Sequence, residues 1–114
     1  MHTESAFDGD GVVVEWAPFR LAEGADAAAL LEASEALQRD FLRRQPGFVR
    51  RELLRDETGR FVDLVVWADH SSAMAAMSAA AASPVCSAYF HLMAGGGEMS
   101  AGTDVVHLHR IRVY

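Results

Sequence analysis

The chain has 114 residues, enough for one ordinary domain and too few for a second independent core. Hydrophobic residues make up 51% of it and charged residues 23%, a balance that fills a core and excludes disorder as the default state. Ten Lys and Arg against sixteen Asp and Glu give a formal charge of −6, whose field repels phosphate backbones and anionic lipid surfaces, so nucleic acid is not an expected partner.

The single cysteine, Cys86, has no internal disulfide partner, and Met1–Asp10 lacks the apolar run of a signal peptide. A cytoplasmic location is the expectation. No window reaches the roughly 20 uninterrupted apolar residues of a membrane span, because Ser78, Ser83 and Pro84 interrupt the alanine-rich stretch. Residues 1–11 are polar and glycine-punctuated and are expected to form a flexible lead to a single domain over 12–114.

The run Val12–Phe19 is β-branched and aromatic and predicts a first strand, with Pro18 at its fraying end. Asp26 then offers a cap to a helix whose Ala27, Leu30, Leu31, Ser34, Leu37, Phe41 and Leu42 fall near one stripe. Pro46 forces that helix to end near Arg44, and Gly47 turns the chain into a second strand, Phe48–Arg55. Asp56-Glu57-Thr58-Gly59 is a polar hairpin link to the strongly apolar strand Arg60–Ala68. Asp69 or Ser71 caps a second helix over Ser72–Ala82, whose face is built of alanines and methionines and permits close approach. Ser83-Pro84, a cap followed by proline at the first helical position, starts a third short helix to about Met93, which Gly95-Gly96-Gly97 ends. A last strand is expected over Asp104–Tyr114.

This order predicts an α+β chain of the ferredoxin-like βαββαβ type, a four-stranded antiparallel sheet with its helices on one face. In the third strand Val62, Leu64, Val66 and Ala68 share one side, and the wholly aliphatic set is assigned to the helices. Phe61, Asp63, Val65 and Trp67 would then point outward as an apolar patch, which a second copy of the chain is expected to cover.

The segments Gln45-Pro46-Gly47-Phe48-Val49 and Asp63-Leu64-Val65-Val66-Trp67-Ala68-Asp69, the latter running into Ala73, resemble the dimeric α/β-barrel superfamily, and within it the antibiotic-biosynthesis-monooxygenase type of domain. The resemblance spans roughly Val12 to Val113. It implies a homodimer whose sheets pack face to face, with a cavity in each subunit between sheet and helices. It also implies cofactor-free oxidation of a phenolic or anthrone-like molecule, so no cofactor or metal is expected. In such enzymes an asparagine and a tryptophan four residues later on the third strand contact the substrate, and a tyrosine on the following helix assists. Here the tryptophan maps to Trp67, Asp63 stands at the asparagine position, and the tyrosine position falls on Ala73 or Met74, neither of which donates a hydrogen bond. Haem-degrading members use a helical tryptophan that would map near Ala76, so haem is the weaker reading.

On these grounds Asp63 is a candidate general base, His91 and His107 are candidate assistants, and Trp67, Met74, Met77 and Phe90 are candidate contacts for a hydrophobic small molecule. Each has a plainer alternative. Asp63 pairs with Arg50 or Arg51, Trp67 and the methionines fill the core, Glu15 and the His107/His109 pair form polar strand contacts, and Cys86 is inert. Two functional readings follow: an oxygenase-like enzyme for an aromatic or polyketide-like molecule, or a non-catalytic dimeric module that binds such a molecule.

Overall fold

A computed structural model of the chain describes residues 11–95 and 105–114. Its elements follow the expected order: β1 (Val13–Phe19), α1 (Ala27–Asp40), a 3-10 turn (Leu42–Arg44), β2 (Phe48–Arg55), β3 (Phe61–Trp67), α2 (His70–Ala80), α3 (Pro84–Phe90) and β4 (Val106–His109). The four antiparallel strands lie in the order β2-β3-β1-β4, the split-βαβ arrangement, with the helices on one face. The expected lead over 1–11, apart from Gly11, lies outside the described residues, as do Gly96, Gly97 and Asp104.

Local chemistry sets the boundaries. Asp26 accepts the Ala29 amide at 2.8 Å and Asp69 accepts the Ser72 amide at 2.8 Å, each meeting a donor that the first helical turn leaves orphaned. Because Asp69 rather than Ser71 is the cap, α2 starts at His70, two residues earlier than the periodicity suggests. Ser83 caps α3 with Pro84 directly after it. In the hairpin, Asp56 Oδ1 accepts the amides of Thr58 and Arg60, and Gly59 supplies the left-handed residue at φ +85°.

The core is sealed by Val13, Leu30, Leu37, Phe61, Val65, Trp67, Ala73 and Tyr89, with Phe19 stacked on Phe61 at 5.4 Å and Phe48 edge-on to Trp67 at 5.9 Å. These contacts reverse the expected faces of β3. Phe61, Asp63, Val65 and Trp67 point toward the helices, while Val62, Leu64 and Val66 form the outer side. The cause is that Asp63 meets a cation inside the fold, so the carboxylate-bearing face need not be the wetted one. Register then places Val14, Trp16 and Pro18 of β1, Leu54 of β2, and Val106 and Leu108 of β4 on the same outer surface as Val62, Leu64 and Val66. Val106 and Leu108 are each 48% exposed. The outward apolar patch therefore exists, but it is built from a different set of residues. No single helix among the described residues is long and apolar enough to cross a membrane.

Gly47 carries the sharpest backbone demand, since at φ +80° its Cα faces the Ser72 side chain so closely that a Cβ would collide with it, while its carbonyl accepts the Ala68 amide at 2.7 Å. Gly59 has a similar φ with open space around it. Gly59→Ala is expected to cost about 1–2 kcal/mol from the left-handed backbone alone, and Gly47→Ala more than that because Ser72 must also move. Urea unfolding of both variants checks this, and equal losses would contradict the close approach.

Candidate active site

Between the inner face of the sheet and the helices lies a cavity of about 110 Å³. Its walls are apolar for the most part: Ala17, Phe19 and Val65 from the sheet, Leu37 from α1 and Phe41 just after it, Ala76, Met77 and Ala80 from α2, and Cys86, Tyr89 and Phe90 from α3. Met77 and Ala81 both line it and are exposed, so the cavity opens beside the end of α2. A dry void of about 150 Å³ is known to hold benzene, which puts this one on the scale of an aromatic ring. Glu15, Asp63, Trp67 and Tyr89 bring polar groups to its wall.

Asp63 is fully engaged. Arg51 Nε donates to its Oδ1 at 2.7 Å, Arg51 Nη2 to its Oδ2 at 3.2 Å, and the Tyr89 hydroxyl to Oδ2 at 2.5 Å. Arg51 also donates from Nη1 to the Ser34 carbonyl of α1 at 3.2 Å and from Nη2 to Tyr89 Oη at 3.1 Å, and its guanidinium lies 5.3 Å from the centre of the Tyr89 ring. The two charged side chains are 6% and 9% exposed, so the pair is sealed. Burial works against the Arg51 charge, but the Asp63 bond and charge outweigh it and raise the arginine's pKa. Burial, reinforced by the Asp63 charge, pushes the Tyr89 phenol far above its ordinary range, so it remains a proton donor. Of the two arginines named as partners for Asp63, Arg51 takes the role, while Arg50 faces the other way and pairs with Glu52 at 2.9 Å. A carboxylate held by three donors is a poor candidate for the general base first assigned to it.

Glu15 is the less committed carboxylate. It sits opposite Val65 on one side and His107 on the other, and His107 Nε2 approaches its Oε1 at 3.3 Å. Burial raises its carboxyl above the ordinary 4.5; His107 opposes this by charge and hydrogen bond, and the Asp63 charge adds to it. The Trp67 indole N–H is turned toward Glu15 and helps to hold its carboxyl down, yet this 1% exposed donor meets no acceptor at hydrogen-bond geometry among the described residues. A buried N–H left open inside a cavity is an invitation to a ligand acceptor.

The other expected residues divide. Trp67, Met77 and Phe90 line the cavity, Met74 packs on the core without lining it, and His107 stands behind Glu15, which it contacts. His91 does not reach the cavity; it is exposed on the far side of α3, where Nδ1–H donates to the Ser87 carbonyl at 2.7 Å. His70 brings its ring within 6.1 Å of His107 and 5.8 Å of His109, but no group of three or more His, Cys, Asp or Glu side chains among the described residues is placed to hold a metal ion. Sequence reasoning missed Tyr89, having sought a hydroxyl on the second helix. The signal was the i, i+3 spacing of Cys86 and Tyr89 after the Ser83-Pro84 start, which turns both inward.

Two consequences can be measured. Tyr89→Phe removes one of three donors to a buried carboxylate and is expected to cost about 1–3 kcal/mol in urea unfolding, a loss that a spectator hydroxyl would not produce. For Glu15, a carboxyl whose pKa is higher folded than unfolded holds its proton more tightly in the native state. Its contribution to stability is therefore full below 4.5 and declines as pH rises through the folded value. Glu15→Gln should flatten that decline when unfolding midpoints are followed from acid to neutral pH; an unaltered slope would contradict the burial argument.

The fold is shared with solved structures. SnoaB from Streptomyces nogalater, described as a cofactor-independent oxygenase, is 24% identical with a TM-score of 0.64, covering 86% of this chain and 89% of that one. A point variant of SnoaB aligns at 26% identity with a TM-score of 0.58 over the same shares. A protein from Shewanella oneidensis is 24% identical with a TM-score of 0.57, covering 90% of this chain and 93% of that one. No curated protein sequence matches. The family model for antibiotic biosynthesis monooxygenases matches residues 13–92, from the start of β1 to just past α3, and the chain belongs to that family.

Proposed function

We propose that the chain is a cofactor-independent oxygenase for a planar, hydrophobic aromatic molecule of phenolic or anthrone type, working as a homodimer closed through the outer faces of its sheets. The observation that carries this reading is the unpartnered Trp67 N–H in an otherwise apolar, ring-sized cavity beside the Glu15 carboxylate. An aromatic ketone or phenol matches that arrangement. Its ring fills the apolar walls, its oxygen accepts from Trp67, and an adjacent acidic hydrogen faces a carboxylate. Ligands larger than one ring extend past Met77, whose unbranched side chain yields readily. For an anthrone-type methylene the overall change is CH2 + O2 → C=O + H2O, in which the ring carbon is oxidised and oxygen is reduced. Membership of the family and the 26% identity to a variant of an oxygenase support this class of chemistry.

The dimer rests on the outer sheet surface, where Trp16, Leu54, Val106 and Leu108 are left exposed on a single chain. Twin sheets packed through this surface would remove it from water, as the resemblance to dimeric barrels implies. A reducing, cytoplasmic setting fits the lone Cys86, whose thiol is buried and whose pKa burial raises.

A second reading, ligand binding without turnover, is favoured by the full engagement of Asp63 with Arg51 and Tyr89. Oxygen uptake with dithranol, an anthrone, separates the two: consumption above the spontaneous rate supports the enzyme, and binding of the unreactive danthron without uptake supports the module. In sedimentation, the wild type is expected as a dimer and Leu108→Glu as a folded monomer. A monomeric wild type would contradict the assembly.

A further inference from the structure

We propose that Glu15, positioned by His107, is the group that takes the proton from the bound aromatic molecule. The proposal deepens the oxygenase reading and rests on it.

The geometry comes from cross-strand register. Glu15 of β1 lies opposite Val65 of β3 and His107 of β4, so all three project toward the helices, and the carboxylate opens on the cavity. Two carboxylates line that cavity. Asp63 has both oxygens taken by Arg51 and Tyr89. Among the described residues Glu15 meets His107 at Oε1 and no hydrogen bond reaches Oε2, and its side chain is only 17% exposed. A ligand oxygen bonded to the Trp67 N–H would therefore place its neighbouring C–H or O–H at the one carboxylate with an oxygen to spare.

In the step, the ligand C–H or O–H bond breaks, an O–H bond forms on Glu15, and the electron pair stays on the ring as an enolate or phenolate. The Trp67 N–H stabilises the charge that collects on the ligand oxygen. This anion is the electron-rich species that molecular oxygen then oxidises. The groups facing Glu15 are His107 from β4, Asp63 and Trp67 from β3, and, across the cavity, the Tyr89 phenol of α3; α2 presents only Ala76, Met77 and Ala80. Burial raises the Glu15 carboxyl, which makes its carboxylate a stronger base than an exposed glutamate. His107 separates Glu15 from the exposed His70, whose ring centre lies 6.1 Å from its own.

The test measures oxygen uptake with dithranol for the full-length wild type, Glu15→Gln, Glu15→Asp and His107→Asn across acid to alkaline pH. Danthron quenching of tryptophan fluorescence reports binding, and circular dichroism reports folding. Glu15→Gln is expected to lose about a hundredfold or more in kcat, with danthron affinity retained and the acidic limb of the rate profile gone. His107→Asn removes the neighbour that opposes the rise of the Glu15 carboxyl and should move that limb to higher pH, which a histidine without influence on Glu15 would not do. If Glu15→Gln does not fold, Glu15→Asp, with its carboxylate withdrawn by one methylene, should still turn over at a reduced rate, and wild-type rates in that variant would count against the assignment. An active wild type with an equally active Glu15→Gln overturns the role of Glu15 alone. A wild type that neither binds danthron nor consumes oxygen overturns the oxygenase reading and this assignment with it.

Discussion

The ion pair between Arg51 and Asp63 joins four elements at one point. The arginine comes from β2 and the aspartate from β3; the Ser34 carbonyl brings in α1, and the Tyr89 hydroxyl brings in α3. Neither charge would be tolerated alone at this depth, and removing one partner of such a pair typically costs about 3–5 kcal/mol because the survivor is stranded. Together they satisfy one another and fasten both helices to the sheet, and the space bounded by those helices is the cavity.

The same pair explains how charged side chains come to sit on the inner face of the sheet while aliphatic ones crowd its outer face. With Asp63, Arg51 and Glu15 satisfied or shielded beneath the helices, the alternate positions Val14, Trp16, Val62, Leu64, Val106 and Leu108 are left for the far side. A solitary subunit gains nothing from that arrangement, since it stores polar groups where they must be paired and shows water the surface best hidden. In the proposed homodimer, two subunits back to back would turn it into a second core, and each subunit would keep a cavity of its own.

The order of elements was legible in the sequence because its signals are local. Asp26, Pro46-Gly47, Asp56 to Gly59, Asp69 and Ser83-Pro84 act on their own neighbours and did so in the structure. The faces of the strands were not legible in this way. Ranking the two sides of β3 by apolarity sent Asp63 outward, because its partner is twelve positions away on another strand and alternation alone carries no sign of the pairing. A bulge between Phe48 and Arg50 compounds the difficulty. Simple alternation from the inward Phe48 would turn Arg50 toward the helices, whereas the inserted residue gives that place to Arg51. Of the site, Trp67, Met77 and Phe90 were found from the resemblance or from apolar spacing. Tyr89 escapes sequence reasoning because its hydroxyl reaches the cavity from α3 rather than α2, and Glu15 looks like a plain strand contact in the sequence because its place on the cavity wall depends on three-strand register.

The central claim is that Asp63 is committed to holding the fold, and a double-mutant cycle tests it most directly. Unfolding free energies would be measured in urea for Arg51→Met, Asp63→Leu and the two combined. Each single change should be severe, and the double variant should be less destabilised than the sum by about 2–3 kcal/mol, since removing both charges leaves neither stranded. Losses that simply add would mean the two side chains do not depend on each other, and the account of the fold and its cavity would be contradicted.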